Sequence, residues 1–362
     1  MKIGVLTFFC AHNYGAVLQC YALLHTLKSL GYEAEVINYK PKYLVDQYRI
    51  FNIHRFISRN PIKIVKNILR EILMLKVRIS RYQRFDDFIT RYLSISEQKE
   101  VVGKYDVYIM GSDQIWNPGI TGGFDPVYFG CFTFEKGVRK YISYAASMGA
   151  TDLSDEEKDF YRINLQKFDA ISVRENHLQS LLQPLSKQVI YSVLDPTFLL
   201  SEVAWDSILV KPRCKGKKYV LVYQVREDAY TIEAAESIAS QIGAEVMIVC
   251  AAPSRHWDAS LIKDASPCEF LGLIKYAMCI VTTSFHGTAF SIIYNKPFYC
   301  IRLNDNGDSR VDSLLKDLSL QDRMVDRGER INFQSIDYGK CNVAIAQKKK
   351  ESVNFLKKRI MA

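Results

Sequence analysis

The residue in this sequence best suited to moving a proton is His286. It stands where a short apolar run, Cys279 to Thr282, gives way after Ser284 to a helical pattern opening at Gly287. An imidazole in that crease lies at the carboxyl end of a buried strand, beside the N–H groups of a helix start, which favour anions. The arrangement points to an enzyme handling a small anionic substrate. The competing reading is a histidine that only hydrogen-bonds within a strand-to-helix loop. Other strand ends carry reactive residue types as well. After the first strand come Asn13 and Gly15, the former able to cap a helix and the latter able to let backbone approach a ligand. After a strand ending at Met110 come Asp113, Trp116 and Asn117. A carboxylate, a flat indole and an amide in one loop suit a sugar pocket, and a core tryptophan among turn residues accounts for the same loop structurally. After a strand ending at Val173 comes Arg174, suited to bidentate contact with a carboxylate or phosphate, or to an ion pair with Glu175 or Asp195.

These residues need strands and helices to present them. The pattern predicts a strand over Lys2–Thr7, a helix over Gly15–Gly31 and a strand over Glu33–Tyr39, a β-α-β unit that implies a parallel sheet. Strands are expected at 106–110, 141–145, 170–173 and 188–193, with helices at 155–165 and 175–182. A turn-rich zone at 197–217 marks a boundary. A second unit then follows, with strands at 219–223, 245–250, 278–282 and 297–301 and helices at 229–242, 268–277 and 287–294. The expected organisation is an N-terminal α/β lobe over 1–200 with a basic helical insertion at 42–100, a C-terminal α/β lobe over 217–330, and an amphipathic helix over 343–362. Two Rossmann-like lobes with a cleft between them is the simplest architecture. No GxGxxG follows the first strand, so a dinucleotide fingerprint is missing.

Composition narrows the function classes. At 362 residues, 48% hydrophobic and 12% aromatic, the chain has the makings of two ordinary cores. Its first residues read as a strand and not as a signal peptide, and no window has the ~18 apolar residues of a membrane span. Nine scattered cysteines without CxxC spacing read as buried thiols in a reducing cytoplasm, and no metal site is expected. Between Lys40 and Arg91 there are 13 Lys and Arg against 4 Asp and Glu, a net of +9, which is also the net charge of the whole chain. This block reads as two or three helices, punctuated at Asn60 and Pro61. Solvated basic helices are one account of it; attraction to anionic lipid or a polyanionic substrate is the other. Nucleic acid is disfavoured because no nucleic-acid fold signature accompanies the charge.

Four motifs occur in order: Gly111 to Pro118 (GSDQIWNP), Ser172 to Glu175 (SVRE), Asp195 to Thr197 (DPT) and Ser284 to Gly287 (SFHG), preceded by Asn13 to Ala16 (NYGA). Together they resemble the polysaccharide pyruvyl transferase family over about residues 3 to 305. The resemblance implies a fold similar to the GT-B glycosyltransferases, phosphoenolpyruvate as donor with no cofactor, and a saccharide hydroxyl pair as acceptor. The product would be a pyruvate ketal on a surface or exopolysaccharide. It also implies that Arg174 and His286, at the SVRE and SFHG motifs, belong to the active site. The basic block matches no motif of that family.

That chemistry assigns roles. Ketal formation needs a proton at C3 of the donor, a cation for its anions and a base for the hydroxyl protons. His286 fits the acid or a phosphate partner, and Asp113 the base. Arg174 fits the anion clamp, with Asn13, Gly15 and the N–H groups of Gly287 and Thr288 as further donor contacts. Trp116 and Asn117 fit the acceptor side. A glycosyltransferase or nucleotide-sugar epimerase, and a non-catalytic carbohydrate or lipid-head-group binder, are the rival readings. A cytoplasmic enzyme docking through 40–91 beside a lipid-diphosphate-linked acceptor would give the basic block a task.

Overall fold

The computed structural model describes residues 1–50, 61–97, 105–132, 139–149, 152–212, 216–250, 261–305 and 307–362, with 61–71 and 250 as backbone alone. Among these residues the first sheet contains β1 (Lys2–Leu6), β2 (Glu33–Val36), β3 (Val107–Met110), β4 (Lys140–Ala146), β5 (Ala170–Val173) and β6 (Ile190–Ser192), in the order β2-β1-β3-β4-β5-β6. The second contains β7 (Tyr219–Gln224), β8 (Glu245–Cys250), β9 (Leu261–Ile262), β10 (Cys279–Thr282), β11 (Phe298–Ile301) and β12 (Met324–Val325), in the order β12-β11-β10-β7-β8-β9. Every pairing between them is parallel. The cause is visible in the residues: β3, β5, β10 and β11 are buried at every position, as strands covered by helices on both faces must be. The fold is therefore α/β with two Rossmann-like lobes, as the sequence predicts.

Both sheets reverse their winding once. In the first, the chain moves from β1 to β2 on one side and then restarts with β3 on the other. In the second, it runs β7, β8, β9 and restarts with β10 on the opposite side of β7. Such reversals open a crevice at the carboxyl ends of the strands, where ligands bind in open α/β sheets. The loops at those points carry Asn13 and Asp113 in one lobe and Arg226 and His286 in the other.

The lobes share their packing. Helix Tyr14–Ser29 is capped by Asn13, and thirteen of its sixteen residues are buried because the second lobe covers its outer face. The Tyr14 ring stacks on Phe270 at 4.4 Å and its hydroxyl donates to the Ala265 carbonyl at 2.9 Å. One cluster of buried apolar residues runs from Ile3 and Val5 through Phe270 and Phe290 to Leu356 and Ile360.

The basic segment is helical, as expected, with its long helix opening at Pro61. After a short helix at Lys42–Val45, it forms a single helix over Pro61–Tyr92, with proline in the first turn where its missing N–H costs nothing. The expected break at Asn60 falls partly outside the described residues. Part of the positive charge is internal. Arg81 is buried, its guanidinium 5.0 Å and 4.8 Å from the ring centres of Tyr14 and Phe85, and it donates to the Tyr14 hydroxyl at 3.0 Å. Arg84 pairs with Glu269 of the second lobe. Among the described residues no helix is long and apolar enough to cross a membrane.

The closing helix spans Gly339–Met361 and returns to the first lobe. Phe355 packs on Tyr144 and Tyr191, and the Ser352 hydroxyl accepts from the Leu194 N–H at 3.0 Å. Phe355→Ala should cost about 3 kcal/mol, the usual toll for emptying a buried aromatic site, and should lower the midpoint of thermal unfolding. An unchanged midpoint would mean that this helix does not hold the lobe.

Candidate active site

A cleft of ≈ 700 Å³ lies between the lobes, with Asn13, Tyr48, Asp113, Asn117, His286 and Arg310 on its walls. His286 comes from the second lobe, in the first turn of helix Phe285–Ile293, and is almost wholly buried. Its Nε2 lies 3.6 Å from Oδ2 of Asp195. That carboxylate belongs to the first lobe, at the turn after β6. Its Oδ1 accepts from the N–H (3.0 Å) and hydroxyl (2.8 Å) of Thr197, and its Oδ2 from Arg174 Nη1 (2.9 Å). Burial alone would raise the Asp195 pKa, but interactions with His286, Arg174 and the Thr197 N–H outweigh it and hold the carboxyl well below its usual range. The carboxylate fixed in this way faces the imidazole at ion-pair distance, and His286 Nε2 itself has no hydrogen-bond partner among the described residues.

Arg174 is not an anion clamp open to substrate. Its Nε donates to Glu175 Oε1, its Nη1 to Asp195 and its Nη2 to the Ser147 hydroxyl, each at 2.9 Å, with the Phe285 ring at 4.2 Å. Its side chain is 2% exposed. Burial disfavours its charge, but Glu175, Asp195 and Asp113 more than restore it. Arg174 thus supports Asp195, which faces His286. The ion-pair alternative noted in the sequence is the one the fold adopts.

The glycines serve His286 and the sheet. A Cβ on Gly15 would fall 2.0 Å from His286 Nδ1, so the absence of a side chain admits the imidazole against the first lobe's helix. The Asn13 side chain is spent on capping, accepting from the N–H groups of Gly15 (2.9 Å) and Ala16 (3.3 Å). A Cβ on Gly287 would meet Thr282 Oγ1 at 2.3 Å, so this glycine allows close packing of helix on strand. The N–H groups of Gly287 and Thr288 are taken by the Ser284 hydroxyl (3.4 Å) and carbonyl (3.0 Å). They do not point at a donor phosphate, because the helix caps itself.

Trp116 is a core residue. It is 0% exposed, stacked on Phe129 at 5.2 Å, with its indole N–H donating to the Tyr128 carbonyl at 3.2 Å. No face of it is free to stack a sugar, and the core reading of this loop is the one the fold adopts. Asn117 does line the cleft, although it caps the helix Pro118–Thr121 and donates to Gln114 Oε1 at 2.7 Å. Asp113 lines the cleft in a left-handed backbone conformation (φ 72°), a strained position for a residue other than glycine and a frequent mark of working sites. Its Oδ1 accepts from the Gln114 N–H at 2.8 Å. His12, in the same loop as Asn13, is buried beside Arg81; burial first and Arg81 second lower its pKa to about 4, so it stays neutral.

Tyr48 and Arg310 are wall residues that the sequence did not single out. Tyr48 presents a phenol from the segment after β2; burial and then Asp113 push its pKa up to about 12. Arg310 lies on helix Asp308–Asp317, between the expected elements. Val311, Leu314, Leu315 and Leu318 fall at helical spacing there, a signal that would have disclosed the helix but not its cationic residue.

The chain belongs to the polysaccharide pyruvyl transferase family, which it matches over residues 13–305. No curated protein sequence matches it. Among solved structures it is similar to the UDP-GlcNAc 2-epimerase of Methanocaldococcus jannaschii, with 12% identity, a TM-score of 0.45, and coverage of 96% of this chain and 92% of that one. It is likewise similar to the glycosyltransferase SnogD of Streptomyces nogalater, with 11% identity, a TM-score of 0.44, and coverage of 97% and 94%.

Two outcomes follow for the site. Gly15→Ala should displace His286 and cut turnover by more than ~10-fold with the fold retained; wild-type turnover would show that the imidazole tolerates the shift. Asp195→Asn removes a partner of a buried arginine and should cost about 3–5 kcal/mol. Because the folded Asp195 pKa lies below its unfolded value, its contribution is complete above roughly pH 4 and is lost as the pH falls below that. Urea unfolding should therefore show a wild-type advantage that is constant at neutral pH and narrows under acid. A gap that ignores pH would remove Asp195 from this role.

Proposed function

We propose that this chain transfers the pyruvyl group of phosphoenolpyruvate onto two hydroxyls of a saccharide, releasing phosphate and leaving a cyclic ketal. The carrying observation is His286, buried on the wall of a roomy interlobe cleft and 3.6 Å from the carboxylate of the buried Asp195–Arg174 pair. Family membership supports the same reading. Addition of a proton to C3 of the donor makes C2 electrophilic; one sugar hydroxyl adds there, and a second displaces phosphate at the same carbon. His286 is assigned the proton, because it is an imidazole packed at the cleft wall with one ring edge, Nδ1, lying over Gly15. Asp113 is assigned the hydroxyl protons. The volume exceeds what a three-carbon donor needs and leaves room for a sugar, for which Tyr48 offers an aromatic face and Asn117 a polar contact. No resident metal or cofactor is assigned.

A lipid-linked acceptor would place the enzyme at an anionic membrane, from its cytoplasmic side. Ile72 and Leu73 on the long basic helix are 62% and 59% exposed, beside the exposed Lys76, which favours this partner.

The decisive experiment measures phosphate released from phosphoenolpyruvate with and without glycan acceptors. Release that depends on acceptor supports the proposal. Release with no acceptor dependence, or turnover of a nucleotide sugar instead, overturns it. In the same assay His286→Gln should lower kcat by roughly 10²-fold or more, and an unchanged kcat would take the proton from this residue.

A further inference from the structure

Three arginines stand around the inner cleft, and their pairing differs. Arg174 is saturated by two carboxylates and a hydroxyl. Arg226 is mostly exposed and pairs with Asp305 at 3.0 Å. Arg310 has no hydrogen-bond or ion-pair partner among the described residues, and its Nε is buried without an acceptor. A cation withdrawn from water without a partner is costly. Burial, and next the like charge of Arg174, lower its pKa from the ordinary arginine value, against the pull of Glu175, Asp113 and Asp305. The helix that carries it is anchored. The first turn of its helix is tied to the loop after β11, where Asp308 accepts from the N–H groups of Leu303 (3.2 Å) and Asn304 (2.7 Å). Arg310 lines the main cleft with His286, and also the small adjoining cavity that holds Arg174 and Asp195. It is thus a half-buried guanidinium without a bonded partner on the wall that presents the candidate acid.

We propose that Arg310, and not Arg174, receives the anionic group of the donor. A carboxylate or phosphate placed against it would supply the missing acceptors through two parallel charged hydrogen bonds and relieve its repulsion from Arg174. Resting on the pyruvyl-transfer reading, the assignment makes Arg310 the binding residue for phosphoenolpyruvate, with His286 within the same wall to act on it. The division of labour is clear in chemical terms: Arg174 orders the carboxylate that faces the histidine, and Arg310 meets the ligand.

The test titrates phosphoenolpyruvate, orthophosphate and a nucleoside diphosphate into the full chain and its variants by calorimetry. Wild type should bind phosphoenolpyruvate, Arg310→Gln should weaken it by at least ~10-fold, and Arg310→Lys, which keeps the charge but loses the planar fork, should fall between. The unliganded melting temperature of Arg310→Gln should equal or exceed that of wild type, because an unpaired charge is removed. If wild type binds orthophosphate or the diphosphate but not phosphoenolpyruvate, and Arg310→Gln loses that binding, the anion role of Arg310 stands while the pyruvyl-transfer reading falls. Equal affinity of wild type and Arg310→Gln overturns the inference. So do a marked drop in the variant's unliganded melting temperature and a wild type that binds none of the three anions.

Discussion

Much of this structure is arranged around one buried ion pair, Arg174 with Asp195, at 2% and 0% side-chain exposure. Two charges removed from water are tolerated only if nearly every donor and acceptor on them is used. The chain meets that demand by bringing the ends of several strands to one point. Ser112 follows β3, Ser147 follows β4, Arg174 and Glu175 follow β5, and Thr197 follows β6, and each bonds to the pair or to its immediate partners. The parallel sheet makes this convergence possible, because all its strands finish on the same side. A constraint of charge compensation therefore dictates polar residue types at loops far apart in the sequence, and it leaves one carboxylate oxygen turned towards the second lobe.

The second lobe contributes the histidine, and the close fit of the two lobes determines what its neighbours can be. Helix Tyr14–Ser29 is buried on nearly all sides, so its first turn cannot carry a side chain where the imidazole lies. The long helix Pro61–Tyr92 fastens the same interface from outside, through Arg84 with Glu269 and Ser80 with Asp264, while Arg81 supports Tyr14 within the first lobe. Charge that looks like a solvated surface in the sequence is in part a fastening between lobes, as cations over aromatic rings and against a single carboxylate can be.

The sequence shows the sheets and the location of the site well, and the allocation of tasks within the site poorly. Strands and helices were legible because their apolar residues repeat with the right periods and their ends carry capping side chains such as Ser154, Ser266 and Ser284. His286 was legible because its strand-to-helix crease is a local feature. Trp116 was misread because one loop can supply both a core indole and wall residues, and only the packing of Phe129 and Tyr161 decides which. Arg174 was legible at the right strand end with Glu175 and Asp195 as possible partners, but the spacing of one and twenty-one residues does not show that both reach it and close it to a ligand. Arg310 was missed because unpaired charge is a property of three-dimensional neighbours, not of sequence.

His286 and the carboxylate that faces it belong to different lobes. Any hinge motion wide enough to admit a saccharide or discharge a product therefore also separates the imidazole from Asp195. Opening the cleft and parting this pair become one event, and the imidazole faces its carboxylate only while the lobes are closed. Such an arrangement couples access to the cleft with the state of its histidine without a separate lid, because the geometry that would admit water is the geometry in which the imidazole has lost its facing carboxylate.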